Sequence, residues 1–242
     1  GGVESNHFGT HEFFDLCETL KCEPYLAINV GSGTVEEAQK WLEYITGKEE
    51  SCLVNLRKDN GRESPWKLKY VGVGNENWGC GGRMTASYYS DQFKKFTNFL
   101  YHCGDGELYK IACGADEADY NWTDVLMDNA AKHMQGLSLH NYCFTKLNSE
   151  SISDEQWRET ISEALSIDEL LNEHSKIMDH YDPDKKIGLI FDEWGTWHDK
   201  DPGTDHFLLE QQNTICDAMV AAVILNTVNN HCDRVKMANI AQ

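Results

Sequence analysis

KIGLIFDE (186–193) is an almost unbroken apolar run that ends on two carboxylates. A strand covered on both faces reads this way, because neither side of its pleat meets water. Five other runs share the character: PYLAINV (24–30), LKYVGVGN (68–75), YKIACG (109–114), GLSLHNY (136–142) and RVKMANIA (234–241). Between them lie stretches of helical periodicity. Residues 34–46 place Val35, Ala38, Trp41, Leu42 and Ile45 on one face, with Thr34 as N-cap and Glu36 and Glu37 in the first turn. Residues 10–20 and 86–103 repeat the pattern, and 155–180 and 207–230 give two longer helices. Asp182-Pro183 closes the helix over 155–180. Helices and strands therefore alternate, which predicts parallel strands joined by helical crossovers. Six strands are visible. An incomplete (β/α)8 barrel, with about six of its eight strands, and an open doubly wound sheet both satisfy this order. One partial catalytic domain over 1–242 is expected.

Composition narrows the partners. Of 242 residues, 40% are hydrophobic and 25% charged, which is an ordinary soluble globular balance. The net charge of −19 repels phosphate backbones and argues against nucleic acid. No run of 18 apolar residues is present, so no membrane span is predicted. The nine cysteines include no C-x-x-C pair, and several sit in apolar runs. They read as small buried hydrophobes in a reducing, cytoplasmic compartment. The chain begins GGVESN and ends on the strand-like VKMANIAQ, so both ends read as cut from a longer polypeptide.

The polar residues gather at the C-terminal ends of the apolar runs. Asn29 ends the first, Asn75-Glu76 the second, His140-Asn141-Tyr142 the fourth and Asp192-Glu193 the fifth, while Gln242 follows the sixth. In a barrel these ends converge on one mouth. Each carboxylate alone has a bland reading as a loop ion pair or helix cap. The set is harder to dismiss, because the coincidence would have to recur on nearly every strand. Two carboxylates flanking one bond are what hydrolysis of a glycosidic linkage requires. One must be protonated to help the leaving oxygen depart, and the other ionised to attack the anomeric carbon. Trp78, Trp194 and Trp197 lie beside the two glutamates, where indoles suit both a desolvated acid and the apolar faces of a sugar. Core packing explains them equally well.

Two other motifs point elsewhere and fail. Val30-Gly31-Ser32-Gly33 follows a strand and precedes a helix, as a dinucleotide fingerprint would, but Glu36 stands where its third glycine belongs. His7 and His11 are four apart, yet there is no H-E-x-x-H and no zinc-spaced Cys/His cluster. No metal and no cofactor are called for.

VGVGNENWGCGG (71–82) and LIFDEWGTW (189–197) resemble the two catalytic motifs of glycoside hydrolase family 51, the α-L-arabinofuranosidases. GGVESNHFGTHEFFDLCE (1–18), NVGSGTVEEA (29–38), GLSLHNY (136–142) and DRVKMANIAQ (233–242) are similar to the stretches around them, in the same order. The resemblance implies a (β/α)8 barrel followed by a β-sandwich, of which this chain would hold neither the first two strands nor the sandwich. It implies Glu76 as acid/base, Glu193 as nucleophile, Asn75 on the sugar 2-hydroxyl, Tyr142 on the nucleophile carboxylate and Gln242 on the sugar. His140 would support this group, or be a satisfied core histidine. The implied activity is retaining release of terminal α-L-arabinofuranosyl residues from arabinan- or arabinoxylan-type saccharides, by an enzyme that is a homo-oligomer at full length. A retaining barrel β-xylosidase or endoglucanase shares the same two glutamates. A truncated barrel that binds sugar without turnover is the alternative from a different class.

Overall fold

The computed structural model describes residues 5–145, 152–199 and 211–241. The elements alternate as expected: α1 (Thr10–Leu20), β1 (Tyr25–Ile28), α2 (Val35–Thr46), α3 (Cys52–Asp59), β2 (Tyr70–Val73), α4 (Ala86–Phe99), β3 (Tyr109–Asp116), α5 (Tyr120–Ala130), β4 (Gly136–Thr145), α6 (Asp154–Tyr181), β5 (Gly188–His198), α7 (Ile215–Asn230) and β6 (Val235–Ile240). The six strands follow one another in the sheet in chain order. β1 pairs parallel with β2, β2 with β3, and β5 with β6. A doubly wound sheet would reverse its strand order at a switch point, so sequential order selects the barrel-type reading.

Local chemistry sets the helix ends. Thr34 Oγ1 accepts the Glu37 N–H at 3.1 Å and the Glu37 carboxylate accepts the Thr34 N–H at 2.8 Å, a reciprocal capping box. Ser153 and Gln156 form the same box at the start of α6. α7 is shorter than the periodicity suggested: Thr214 caps it with Asp217 as the box partner, residues 211–214 are not helical, and 207–210 lie outside the described residues. α4 likewise stops at Phe99, because Leu100 turns to extended backbone. α3 was not expected from its short, mixed pattern.

The chain divides into two compact units, each with its own core. The first, residues 5–113 with 125–136, buries Phe14, Leu42, Ile45, Val71, Val73, Phe93 and Phe96. Here the motif glycines of 30–33 find their reason. A Cβ on Gly31 would lie 2.5 Å from the Gly81 carbonyl oxygen, so Gly31 permits a close approach of two loops. His11 bonds the Tyr44 hydroxyl and stands edge-on to Trp66, so it serves packing.

The second unit, residues 114–124 with the described residues from 137 onward, buries Ile167, Leu171 and Met178 of α6, Ile224 of α7 and Leu189, Ile190 and Phe191 of β5. Arg234, 1% exposed, ties its lower end together. Its guanidinium donates to the Asp182 carboxylate and to the Ile187 carbonyl, both at 2.9 Å, and also reaches Asp179. Burial pulls the Asp182 carboxyl upward, but the Ile187 N–H, Arg234 and the Lys186 N–H outweigh it and hold the group below its usual range. Arg234→Leu is expected to cost about 3–5 kcal/mol, since it leaves a buried carboxylate without its cation. Urea unfolding checks this, and a loss below about 1 kcal/mol would refute it. Because the Asp182 value is depressed on folding, its contribution is complete above an unfolded aspartate's pKa of about 4 and is lost as pH falls through the lower folded value.

Candidate active site

Glu193 sits near the middle of β5, and its surroundings are built by β4. Alternation along β4 places Ser138, His140, Tyr142 and Phe144 on one face. The Tyr142 hydroxyl donates to Glu193 Oε1 at 2.7 Å. His140 Nδ1 lies 3.1 Å from Glu193 Oε2, and His140 Nε2 lies 3.2 Å from Asp192 Oδ1. The Glu193 carboxylate is thus held at both oxygens. Tyr142 and His140 are themselves buried, at 8% and 4% exposure, so neither group can easily swing away.

Adjacent residues of a regular strand point to opposite faces. Asp192 and Glu193 nevertheless both reach His140. The register explains this: Phe191 pairs with Ala238 and Trp194 with Ile240, so three steps along β5 oppose two along β6. The extra residue is a β-bulge at Asp192-Glu193, and a bulge re-aims side chains where it occurs. A neutral imidazole has one N–H and can donate to only one of the two carboxylates.

β5 is anchored beyond Glu193 as well. His198 Nε2 meets Asp217 Oδ1 at 2.6 Å, and the Thr196 hydroxyl donates to the same oxygen. Burial raises the Asp217 carboxyl, but Thr196, the Thr214 N–H and His198 together bring it below its usual range. Tyr142, Phe144 and Trp197 form an aromatic group beside Glu193, with Trp197 edge-on to Tyr142 at 5.1 Å and 5.9 Å from Phe144. Two further carboxyls of this unit, Glu117 and Glu163, are pushed up by burial, with Asp116 adding to the first and Glu117 to the second. Burial pushes the Cys143 thiol up to about 12, which makes it an inert core group.

Glu76 lies in the other unit, in the turn that follows β2. Its φ of 45° is left-handed, which is uncommon for a residue with a Cβ and costs roughly 1–2 kcal/mol. The turn is held against this strain. Gly79 N–H and Gly81 N–H both donate to the Glu76 carbonyl, at 2.8 and 2.9 Å. Asn77, 1% exposed, donates from Nδ2 to the Gly81 carbonyl at 2.7 Å and accepts the Met84 N–H on its own carbonyl. Gly74 enters the turn at φ 98°, where a Cβ would fall 2.0 Å from Asn77 Oδ1. Cys80 Sγ donates to Glu76 Oε2 at 3.0 Å. Strained backbone maintained by its neighbours is a mark of functional turns.

The expected residues therefore divide. Glu193, Tyr142 and His140 are brought together in one unit. Asn75, Glu76 and Trp78 share the turn in the other, with Asn75 exposed and Trp78 half-buried. Trp194 is 2% exposed, with its ring stacked on Phe191 at 6.0 Å. The bulge turns Glu193 outward and leaves the next side chain facing in. Gln242 lies outside the described residues. Asn29 folds back on Ser32, accepting its N–H at 3.0 Å. Sequence reading passed over Asn77, Cys80, His198 and Asp217. Only Thr214-x-x-Asp217 carried a signal, as a capping box. A cavity of about 690 Å³ lined by Trp66, Leu68 and His102 lies at the opposite ends of β1 and β2 from Asn29 and Glu76, on the face that serves stability in barrels.

Comparison with known proteins agrees with the motifs. The α-L-arabinofuranosidase 1 domain profile matches residues 1–148, and the α-L-arabinofuranosidase C-terminal domain profile matches residues 192–242. The chain is 50% identical, over its whole length, to an intracellular exo-α-L-arabinofuranosidase of Bacteroides ovatus, of which it covers 48%. The crystal structure of the GH51 arabinofuranosidase from Xanthomonas axonopodis pv. citri superposes with a TM-score of 0.97 at 46% identity, over 100% of this chain and 50% of that one. The α-L-arabinofuranosidase of Thermotoga maritima, solved as an arabinose complex, gives 0.82 at 30% identity, over 99% and 47%. The chain spans about half the length of these relatives.

Proposed function

This chain belongs to the glycoside hydrolase family 51 α-L-arabinofuranosidases, and from that premise we propose that it carries both catalytic carboxylates of a retaining glycosidase that releases terminal α-L-arabinofuranosyl residues. The observation that supports this most is the grip on Glu193: a carboxylate held at both oxygens by Tyr142 and His140 is oriented for attack and cannot rotate freely.

In the proposed first step, Glu193 attacks the anomeric carbon as Glu76 gives its proton to the glycosidic oxygen. The glycosidic bond breaks, the aglycone leaves as an alcohol, and an arabinofuranosyl ester forms on Glu193. In the second step Glu76, now ionised, takes a proton from water, and the hydroxide portion attacks the ester to free arabinose with its configuration kept. Asn75 holds the sugar 2-hydroxyl in this reading, Gln242 contacts the sugar, and Trp78 offers it an apolar face. The substrate is an arabinofuranosyl-containing oligo- or polysaccharide, bound by an acidic protein of net charge −19. A cytoplasmic location belongs to the same proposal. None of the nine cysteines forms a disulfide, the Bacteroides ovatus relative is named intracellular, and no described helix is long and apolar enough to cross a membrane. Homo-oligomerisation of the full-length protein is proposed from the family alone.

The full-length protein is expected to cleave 4-nitrophenyl α-L-arabinofuranoside with a kcat/KM at least about 100-fold above that on the β-D-xylopyranoside, and to leave carboxymethyl cellulose intact. That ratio corresponds to about 2.7 kcal/mol of discrimination in the transition state. Proton NMR during the first turnovers should show the α-anomer of arabinose appearing before mutarotation. Preference for the xyloside, or first release of the β-anomer, would overturn the proposal.

A further inference from the structure

Cys80 is the residue whose placement the reaction has not yet used. It lies in the turn after β2, between the two glycines whose N–H groups bond the Glu76 carbonyl. Its own thiol reaches the carboxylate of that same residue, with Sγ 3.0 Å from Oε2. Residues 79–81 therefore clasp Glu76 at three points, two on its backbone and one on its side chain. The two backbone bonds fix where the Cys80 Cα stands, and this helps to hold the thiol over Oε2.

We propose that Cys80 is a positioning residue for the acid/base glutamate, an inference that rests on the assignment of Glu76 to that role. A thiol is a weak donor toward a neutral acceptor and a better one toward a carboxylate. Its bond to Oε2 selects that oxygen as the acceptor and so places the transferable proton of Glu76 on Oε1. Glu76 must alternate between acid and base within one turnover, and a weak donor suits both states. A cationic partner would hold the carboxylate ionised and oppose the first step. The φ of 45° at Glu76 adds a reason for the clasp, because a strained residue needs neighbours to hold its direction.

The test uses the full-length protein and reads kcat/KM, which reports formation of the glycosyl ester. Cys80 is exposed, so Cys80→Ala and Cys80→Ser remove or exchange the donor without opening the core. Cys80→Ala should lower kcat/KM about three- to tenfold on an arabino-oligosaccharide, whose leaving alcohol needs acid help. On 4-nitrophenyl α-L-arabinofuranoside, whose leaving group needs little, the change should stay within about twofold. Cys80→Ser keeps a donor and should recover most of the loss. Equal losses on both substrates, no loss on either, or a Cys80→Ser variant as impaired as Cys80→Ala would each overturn the inference. Glu76→Ala, measured alongside, separates the two levels. If that variant hydrolyses the oligosaccharide at the wild-type rate, Glu76 is not the acid and the underlying assignment fails. If it behaves as an acid/base variant while Cys80→Ala matches wild type, only the role of Cys80 falls.

Discussion

Glu193→Gln is expected to reduce arabinose release by roughly 10⁵-fold or more, the scale seen when a covalent nucleophile is removed. The amide has the shape of the carboxylate but cannot form the glycosyl ester. The loss should fall on kcat and kcat/KM alike, because the missing interaction exists only in the transition state. Folding should be little changed. The Glu193 side chain is 26% exposed, and the amide still offers the Tyr142 hydroxyl an oxygen to bond. Asp192→Asn makes the informative contrast. Asp192 stands next in sequence and faces the same histidine, yet in the proposed mechanism it forms no bond to the sugar. Its replacement should leave far more activity than Glu193→Gln does. Initial rates on the aryl arabinofuranoside, with matched melting temperatures, decide the matter. A Glu193→Gln enzyme with more than about a tenth of the wild-type rate, or an Asp192→Asn enzyme that is the deader of the two, would move the nucleophile assignment off Glu193.

That contrast shows what could be read from the chain and what could not. The strands were legible because each is apolar along nearly its whole length, a pattern few other elements produce. Glu76 and Glu193 stood out in the chain because a carboxylate that closes an apolar run is costly unless it is exposed or used. The bulge at Asp192-Glu193 was not, since it exists only as a mismatch between β5 and β6 and leaves no mark in DEW itself. Without it, strict alternation would turn Asp192 and Glu193 to opposite faces. The same mismatch accounts for the burial of Trp194, whose ring the bulge brings beside Phe191. In the turn after β2 the obvious asparagine was Asn75, yet Asn77 holds the loop together, because burial is decided by tertiary packing. The left-handed φ at Glu76 was hidden for a related reason. Its side chain gives no sign of it, and the glycines that make the turn feasible follow three residues later.

Glu76→Ala is expected to behave differently from Glu193→Gln, and the difference identifies the acid/base. On an arabino-oligosaccharide kcat/KM should fall by about 10²–10⁴, the usual contribution of a positioned general acid. On 4-nitrophenyl α-L-arabinofuranoside the fall in kcat/KM should be slight, since that leaving group departs with little protonation. Its kcat should nevertheless drop, because release of the ester still needs a base to activate water. The apparent KM should then fall too, as glycosyl ester accumulates. Azide, an anionic nucleophile that needs no base, should restore kcat by attacking the ester and yield the α-arabinofuranosyl azide. The same treatment cannot revive Glu193→Gln by this route, where no ester forms. Backbone effects should not confuse the result. Alanine carries the same Cβ as glutamate, so the strain at a φ of 45° is present in both proteins and the bonds to the residue 76 carbonyl are retained. Only the carboxylate, and with it the acceptor of the Cys80 thiol, is lost. If azide leaves the rate unchanged and both substrates suffer equally, the acid/base must be sought on another strand end, with Glu117, whose carboxyl burial pushes upward, the first to examine.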